Sequence, residues 1–393
     1  MKNSDLLISG ASIAGPALAY WLGRYGFSPT VVERAPALRG GGFAVDFRGE
    51  AHMSVLKRMG ILEEVRRLQT NMGEQIVVDE TGKRLLALPA SFMSGEVEIA
   101  RGDLSRIMYE RTKDTTEYIF GDSIASMTET TDGVHVTFER GAPRTFDLVV
   151  GADGLHSNTR RLAFGPEVQF ISFLGHYIAS FDLPNYLNLD HAGLIYNVPG
   201  KEADIGSARE GTKASAGFVF ASEPLDYDRH DPEQQKRILA DIYADVGWEV
   251  PRLIEAMWDA PDLYFDSISR IDMDHWSKGR VVLLGDAGYG ATVGGMGTGT
   301  GMVGAYVLAG ELAAAGGDHR TAFARYEAEI RDYAKGCQKL ANNAGPFLAP
   351  PTRWKIWRRN QVYRMLSSRT LSGVFNKMTT KAASAITLKD YRG

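Results

Sequence analysis

Three glycine-rich turns, each associated with an acidic residue, are the places in this sequence where residue types and spacing could support chemistry. The first runs from Gly10 to Gly15, between an apolar run at residues 6–8 and a helical pattern that ends at Gly26. A glycine turn between a strand and a helix presents backbone amides that bind phosphate. A second apolar run ends on Glu33, where dinucleotide-binding folds place the carboxylate that binds a ribose hydroxyl. The first turn therefore predicts a dinucleotide site.

The residues of this turn have separate predicted roles. Gly10 permits the sharp turn and Gly15 lets the helix pack closely, whereas Ser12 stands where the G-x-G-x-x-G pattern has its middle glycine. Glu33 favours an adenosine ribose with a free hydroxyl, and hence FAD or NAD. A chance glycine-rich turn is the alternative, but it does not explain the strand, the helix and the acid together. The predicted cofactor-binding residues of this region are Gly10, Ser12, Ile13, Ala14, Gly15, Glu33 and Arg34.

Two further turns follow predicted buried strands. Asp153 and Asp286 lie just after the strands at residues 146–150 and 281–284. Ligands bind at the carboxyl ends of strands in α/β sheets, so the Asp286 carboxylate is predicted to contact a cofactor. A turn-capping role is the alternative for Asp286, because aspartate often caps turns. The glycine-rich stretch behind Asp286 is predicted to bring backbone close to the ligand, with a disordered linker as the alternative. Its predicted contacts are Gly295, Met296 and Gly297.

Three more charged residues are candidates for the site. Arg101 lies at a predicted junction between a strand and a helix, where it either contacts a ligand or forms a surface ion pair. Asp46 and Arg48 follow glycines 40–42, whose backbone can approach a flat ligand unless the stretch is a flexible loop. They either face a cofactor or pair with each other, and they are the candidate catalytic side chains. No nucleophile triad and no metal-ligand cluster is recognisable, so no metal is predicted.

The remaining chain supplies the elements that must position these turns. Strand and helix patterns alternate through residues 1–74, 98–165 and 265–345, which predicts a discontinuous, Rossmann-like dinucleotide-binding domain of the α/β class. Period-two and aromatic-rich segments fill residues 75–97 and 166–264, which predicts one antiparallel sheet that binds an aromatic ligand. Residues 346–393 are predicted to form a C-terminal helical segment.

Composition narrows the classes of function. With 393 residues and 44% hydrophobic content the chain can bury a large core, and its formal net charge of -4 argues against general nucleic-acid binding. The single cysteine, Cys337, excludes an internal disulfide and fits a reducing compartment. Neither a signal peptide nor an uncharged stretch long enough to span a membrane is recognisable. A cytoplasmic protein without an integral membrane segment is therefore predicted.

The C-terminal segment is strongly basic. Its many Lys and Arg residues are interleaved with aromatic ones, against the single acid Asp390. Such a pattern can bind nucleic acid or an anionic membrane surface. The aromatic residues, however, recur at helical spacing. This favours a helix packed on the protein body with a solvated basic side.

Together, the three turns resemble the fingerprints of the FAD-dependent aromatic hydroxylases, which are the single-component (group A) flavoprotein monooxygenases. Residues 151–160 match the pattern G-A-D-G-x-x-S-x-x-R. Residues 285–287 and 295–297 are similar to the pattern G-D-A followed by G-x-G. Arg101 is also placed like the flavin-contacting arginine of that family. The resemblance covers nearly the whole chain and implies the family's two-domain fold.

The chain departs from the family pattern after G-D-A. The family has a small residue, a histidine and then a proline, where this chain has Gly288, Tyr289 and Val293. The family includes antibiotic-tailoring and tetracycline-modifying hydroxylases, and the latter are similar to this chain around residues 41–42 and Asp46. The resemblance implies that Asp153 contacts FAD and the nicotinamide nucleotide, and that Asp286 contacts the ribityl hydroxyls of FAD.

The resemblance also implies an activity. FAD would be reduced by NADPH or NADH, would react with O2 to give a C4a-hydroperoxide, and would hydroxylate an aromatic or polyketide-like small molecule. Two alternatives remain open: a flavin-dependent reductase or dehydrogenase of the same build without oxygen insertion, and a non-catalytic flavin- or ligand-binding module. The sequence predicts neither the oligomeric state nor the choice between NADH and NADPH.

Overall fold

The computed structural model describes residues 2–38, 40, 44–90, 95–208, 211–293, 296–366 and 384–391. The helices in these ranges are α1 (Ala14–Arg24), α2 (Gly49–Arg58), α3 (Leu62–Arg67), α4 (Arg101–Glu110), α5 (Asn158–Ala163), α6 (Pro232–Tyr243), α7 (Val250–Asp259), α8 (Asp286–Tyr289), α9 (Gly297–Ala314), α10 (His319–Ala341), α11 (Ala344–Leu348) and α12 (Arg353–Leu366). The strands are β1 (Asp5–Ser9), β2 (Ser28–Glu33), β3 (Ala44–Phe47), β4 (Gln75–Val78), β5 (Arg84–Leu88), β6 (Val97–Ala100), β7 (Glu117–Phe120), β8 (Ile124–Glu129), β9 (Val134–Phe138), β10 (Arg144–Phe146), β11 (Leu148–Gly151), β12 (Ile171–Pro184), β13 (Ala192–Val198), β14 (Lys201–Ser207), β15 (Lys213–Ala221), β16 (Tyr264–Ile271), β17 (Ser277–Lys278) and β18 (Val281–Leu283).

The strands that precede the three glycine turns are neighbours in one sheet. Within the described ranges six strands form this first sheet, in the order β17-β18-β11-β1-β2-β7. Strand β1 pairs in parallel with β2 and β11, and β11 pairs in parallel with β18. Because parallel strands end at the same edge of a sheet, the turns after β1, β11 and β18 meet there. The predicted α/β, Rossmann-like core is confirmed.

Helices bury the first sheet. Trp21 of α1 packs edge-on against Tyr306 of α9, with their ring centroids 4.8 Å apart. Helix α9 is apolar on nearly every side, because it lies between α1, α2 and α10. Two small sheets, β10-β9-β8 and β3-β6, flank this core. The end of β18 and the start of α9 are thus held by buried structure on both sides.

A second, larger sheet confirms that the two period-two segments fold together. In the part of the chain that the structure describes, seven strands form this large sheet, in the order β16-β12-β15-β14-β13-β4-β5. Its pairs are antiparallel except that β13 and β4 run parallel, since the chain enters β4 from α3 rather than through a hairpin with β13. Strand β16 pairs with β12 in this sheet, although all but its first residue fall in the range 265–345 that is predicted to belong to the dinucleotide-binding domain. The domain boundaries themselves stay a prediction.

The two faces of the large sheet have different neighbours. The outer face carries aromatic side chains such as Tyr177 and Phe218, which pack with helices α6 and α7 through an apolar cluster. The inner face carries Ile178, Val219 and Ile268, which pack with residues around the end of α11. The C-terminal helix α12 covers the same face over β5 and β13. The inner face is therefore the face turned toward the rest of the molecule.

The C-terminal region contains the predicted helix and an extended end. Helix α12 packs on β5 and β13, and residues 384–391 lie against α9. The hydroxyl of Tyr391 donates a 2.8 Å hydrogen bond to Glu311, and Nζ of Lys389 lies 3.0 Å from the same carboxylate. Of the helices described, none has both the length and the apolar character needed to cross a membrane.

Candidate flavin site and the adjacent sheet face

The first two turns contact each other through their backbones. Gly10 has a φ of +108°, and a Cβ there would lie 2.4 Å from the carbonyl oxygen of Ala152. A Cβ on Gly15 would lie 1.9 Å from the carbonyl oxygen of Gly10. Both positions therefore need glycine for steric reasons. Helix α1 begins directly behind, after Ile13, without a side-chain cap. Its first amides are thus available to an anion.

Glu33 lies at the end of β2 and faces the first turn. Its carboxylate accepts hydrogen bonds from the backbone amides of Ala11, at 2.8 Å, and Ala35, at 2.9 Å. These bonds hold the carboxylate beside the glycine turn. The neighbouring Arg34 instead contacts the ring of His230 at 2.9 Å, in an exposed position. The structure places Glu33 with the turn and turns Arg34 outward.

Arg101 begins helix α4 and contacts the first turn from the opposite side. Its guanidinium donates to the Ser12 hydroxyl, with a shortest distance of 3.1 Å. Ser105, one turn later in α4, donates to the carbonyl of Ser12 at 3.0 Å. The serine that replaces the middle glycine of the pattern therefore joins the turn to α4. The structure therefore brings Arg101 and Ser12 together, as expected if both contact one cofactor.

Asp153 holds the second turn together. Its carboxylate accepts hydrogen bonds from the Ser9 hydroxyl at 3.1 Å, from the Thr159 amide at 2.9 Å and from the Ser157 hydroxyl. These donors come from β1 and from the start of α5. Asp153 thus ties the first turn to the second. Its predicted contact with a cofactor stays a prediction.

Arg160 connects the second turn to the third, a role that the sequence pattern did not reveal. Its side chain is fully buried, and it donates to the carbonyl oxygens of Ala287 at 2.9 Å and Leu155 at 2.7 Å. Glu167 lies 3.2 Å away and provides the counter-charge. Burial lowers the pKa of Arg160, and the negative charges of Glu167 and Asp153 oppose that change. The fingerprint arginine is therefore a buried link between two turns.

Asp286 is the residue that best indicates a ligand. It is the first residue of α8 and directly follows the N-cap residue Gly285. Its Oδ1 atom is enclosed and has no partner among the described residues, although the residue as a whole is partly exposed. Burial raises the pKa of Asp286, and the nearby charge of Arg101 lowers it by less. An enclosed carboxylate oxygen without a donor is costly, so this carboxylate is placed to receive donors from a ligand.

Residues of the first and third turns lie around Asp286. Gly285 has a φ of +63°, and a Cβ there would be 3.5 Å from the Cβ of Ala14. A Cβ on Gly297 would be 3.0 Å from Oδ1 of Asp286. Met296, with a φ of +53°, immediately precedes α9. Gly295, like glycines 41 and 42 of the earlier loop, lies outside the described residues.

This arrangement fits FAD. The uncapped start of α1 offers amides to a pyrophosphate, and Glu33 lies at the strand end where an adenosine ribose binds. The orphaned oxygen of Asp286 can accept hydrogen bonds from the hydroxyl groups of the cofactor. The three turns thus supply complementary groups for the anionic and the hydroxyl-bearing parts of one dinucleotide.

Asp46 and Arg48 pair with each other at the end of β3. The Arg48 side chain is 12% exposed and that of Asp46 is 27% exposed. The Arg48 amide donates to Nδ1 of His52 at 3.2 Å, and the other ring nitrogen lies 2.6 Å from the Tyr333 hydroxyl. Burial, with a smaller effect of Arg48, lowers the pKa of His52 to about 4. The pair is therefore held by buried structure, and its catalytic role stays a prediction.

Tyr264 is a second residue that sequence reasoning missed. It lies on the inner face of the large sheet, where burial raises its pKa strongly. Asp266 and Asp286 raise that pKa further, while Arg101 lowers it. Its strand β16 lies against α8, which begins at Asp286, and the Ile271 amide of β16 donates to the carbonyl of Gly290 at 3.0 Å. Only the pairing of β16 with β12 could reveal this position, since no local motif surrounds Tyr264.

Known proteins share this sequence and fold. The model of the FAD binding domain family matches residues 3–341. A flavin-dependent monooxygenase of Legionella longbeachae serogroup 1 is 39% identical over 344 residues, which cover 86% of this chain and 88% of that protein. The crystal structure of the tetracycline destructase Tet(55) is 38% identical with a TM-score of 0.85, and that of Tet(51) is 34% identical with a TM-score of 0.86. Both of these comparisons cover 100% of each chain.

These likenesses extend over the glycine turns and the large sheet alike. The family match covers far more than half of the chain, and the two structural alignments cover all of it. The chain therefore belongs to the FAD binding domain family, among the FAD-dependent monooxygenases of the aromatic hydroxylase type.

Proposed function

We propose that this protein uses NADPH or NADH and O2 to hydroxylate an aromatic or polyketide-like small molecule with bound FAD. The observation that carries the proposal is the orphaned oxygen of Asp286, which lies where the three turns meet. Strand β16 of the large sheet, which carries Tyr264, lies against α8, which begins at Asp286. A cofactor held by Asp286 therefore has the sheet as its neighbour, and a substrate on that face has the cofactor within reach.

The side chains of the site bind and orient, and FAD, when bound, supplies the redox and oxygen-activating chemistry. Glu33 and the start of α1 would hold the adenosine and pyrophosphate end of the cofactor. Asp286 would accept hydrogen bonds from its hydroxyls. The buried inner face would exclude water and position the substrate. Asp46 and Arg48 remain the candidate side chains for direct participation.

Tetracyclines are the first substrate class to test. Tet(51) and Tet(55), named as tetracycline destructases, align with the entire chain at 34% and 38% identity. Similarity at this level supports a related polycyclic substrate, because the large sheet is part of the alignment. It also favours the monooxygenase over the reductase alternative.

The test uses FAD-loaded enzyme with NADPH or NADH under air, with and without tetracycline. We expect substrate-stimulated O2 consumption and a product that has gained one oxygen atom, measured with an oxygen electrode and mass spectrometry. In a parallel reaction, catalase converts hydrogen peroxide back to O2, which shows how much of the consumed O2 did not enter the product. NAD(P)H-dependent turnover that needs no O2 would support the reductase alternative. Absence of NAD(P)H oxidation with every substrate tried would support a non-catalytic module.

A further inference from the structure

A polar row crosses four neighbouring strands on the inner face of the large sheet. The register pairs Tyr264 with Ser180, Ser180 with Gly217, and Gly217 with Asp204. Directly opposed residues of an antiparallel pair lie on the same face. These four residues, from β16, β12, β15 and β14, therefore stand side by side on the face that is turned toward the flavin site.

Gly217 determines where the Asp204 carboxylate lies. A Cβ on Gly217 would be 2.0 Å from Oδ2 of Asp204. The carboxylate therefore occupies the space that a side chain of β15 would fill, and it reaches across β15 toward Ser180. Any other residue at position 217 would force this carboxylate to move. The chain has the residue type that this placement needs.

Two side chains of the row have no partner within the described structure. Ser180 is 4% exposed, and its hydroxyl makes no hydrogen bond with a described residue. Asp204 has neither a hydrogen bond nor an ion pair with a described residue. Asp204 is half-buried, so its carboxylate and the Ser180 hydroxyl are both available to a ligand that binds on this face.

The charge of the row selects the kind of partner. Burial raises the pKa of Asp204. The pKa of Glu202 is raised by burial and, to a smaller extent, by the negative charge of Asp204, while Arg359 lowers it. Arg359 itself donates to the carbonyl of Leu348 at 2.9 Å and to Oδ1 of Asn197 at 2.7 Å. No cation among the described residues serves Asp204. A positively charged ligand group would do so and would stabilise the ionised carboxylate.

The row also has a direction relative to the flavin site. Strand β16 contacts the third turn, since the Ile271 amide donates to the carbonyl of Gly290 at 3.0 Å and β16 lies against α8. Tyr264, the β16 member, is therefore at the end of the row on the side of the glycine turns. Three steps between strands, each about 4.8 Å, put Asp204 roughly 14 Å from Tyr264. A ligand that spans the row would have its reacting part near Tyr264 and its charged part at Asp204. Such a ligand is elongated, with several rings.

We propose that Asp204 is the specificity-determining residue of the substrate site, and that it binds a protonated amine of an elongated, polycyclic aromatic substrate beside the Ser180 hydroxyl. This inference rests on the proposed monooxygenase function and adds the residue that selects a substrate with an amine. Asp204 acts in selection of the ligand, and the redox chemistry stays with the flavin.

The experiment compares two probes that differ in a single amine. Tetracycline carries a basic dimethylamino group, and 4-dedimethylaminotetracycline lacks it. FAD-loaded enzyme is titrated with each probe at pH 7, with flavin absorbance as the signal. The variants are Asp204→Asn, which removes the charge at constant shape, and Gly217→Ala, which displaces the carboxylate. The control is Asp259→Asn, which removes an exposed carboxylate from helix α7 on the outer side of the sheet.

We expect the wild type and Asp259→Asn to bind tetracycline about 10- to 100-fold more tightly than the probe without the amine. Asp204→Asn and Gly217→Ala should bring the two affinities within roughly 3-fold by weakening tetracycline alone. Equal affinities in the wild type, binding of neither probe, or a preference that survives in Asp204→Asn would each overturn the proposal. Flavin reduction by NADPH and by NADH is measured in parallel with and without tetracycline, and its failure under all of these conditions would instead count against the proposed function.

Discussion

Removal of the Asp286 side chain should have opposite effects on the apoprotein and on the complex with FAD. Oδ1 of Asp286 is enclosed without a partner, and burial raises the pKa of the carboxyl group. Asp286→Ala therefore relieves an unfavourable burial in the absence of cofactor. With FAD present, the same change removes the acceptor for the hydroxyls of the cofactor. A residue that only capped the turn would show neither pattern.

The expected magnitudes follow from the cost of the unpaired group. An unsatisfied buried polar group costs about 1–3 kcal/mol, so the free energy of unfolding of the apoprotein should rise by up to that amount. Loss of charge-assisted hydrogen bonds worth about 1.5–3 kcal/mol should raise the Kd for FAD by roughly 10- to 150-fold. Flavin reduction should also slow, because the cofactor is held less firmly.

The assay combines urea unfolding of the apoprotein with fluorescence titration by FAD. Asp231→Ala is the matched control, because Asp231 caps α6 by accepting from the Gln234 amide at 3.0 Å. This control should lose about 1 kcal/mol of stability and keep its affinity for FAD. If Asp286→Ala behaves like the control, with lower stability and unchanged FAD affinity and reduction, Asp286 is a turn residue and the site assignment is wrong.

Three further predictions concern the cofactor and the fold. Glu33→Ala should raise the Kd for FAD by about one to two decades, since it removes the carboxylate beside the first turn; a fluorescence titration with wild-type affinity would contradict this. The pKa of His52 is about 4 in the folded protein and about 6.5 in the unfolded chain. Below pH 6.5 the unfolded chain therefore binds a proton at His52 that the folded protein does not bind. The free energy of unfolding should fall between pH 6.5 and pH 4, by about 3 kcal/mol in total. Urea unfolding at pH 7 and pH 4.5 should therefore show a smaller loss in His52→Gln than in the wild type, and equal losses would refute the assignment. Gly310→Ala should lower the melting temperature, because its Cβ would lie 2.2 Å from the Tyr391 ring and would displace residues 384–391 from α9. Gly336→Ala is the control; its Cβ has no atom within 4 Å, so this variant should leave the melting temperature unchanged or raise it. Equal shifts in the two variants would show that the C-terminal contact contributes nothing to stability.

Local sequence determined the parts of this protein that depend on neighbours in the chain. The glycine turn at Gly10 and Gly15, the strand before it and the helix after it follow from short apolar runs and from the steric needs of a tight turn. Glu33 at the end of β2 could be placed in the same way. The change from helical to period-two patterns likewise predicted the large sheet, because alternation reports a half-buried strand wherever it occurs.

Tertiary structure decided the partners of these elements. The sequence placed Asp153, Arg160 and Asp286 after strands, but only the parallel order of β1, β11 and β18 made them neighbours. Asp153 is bonded within the fold, and Arg160 links two turns. Asp286, in contrast to Asp153, keeps an enclosed carboxylate oxygen without a partner among the described residues. The two aspartates that follow parallel strands thus differ in role because burial and available donors differ at each position.

The row that includes Asp204 and Gly217 shows the same limit more sharply. Neither residue belongs to a motif, and β14 and β15 contain other polar residues with similar local surroundings. Their importance arises from register, which sets the glycine of one strand under the carboxylate of the next. A shift by one residue would move both to the opposite face of the sheet. Local sequence thus determined which segments form strands and turns, and long-range pairing decided which side chains share a site.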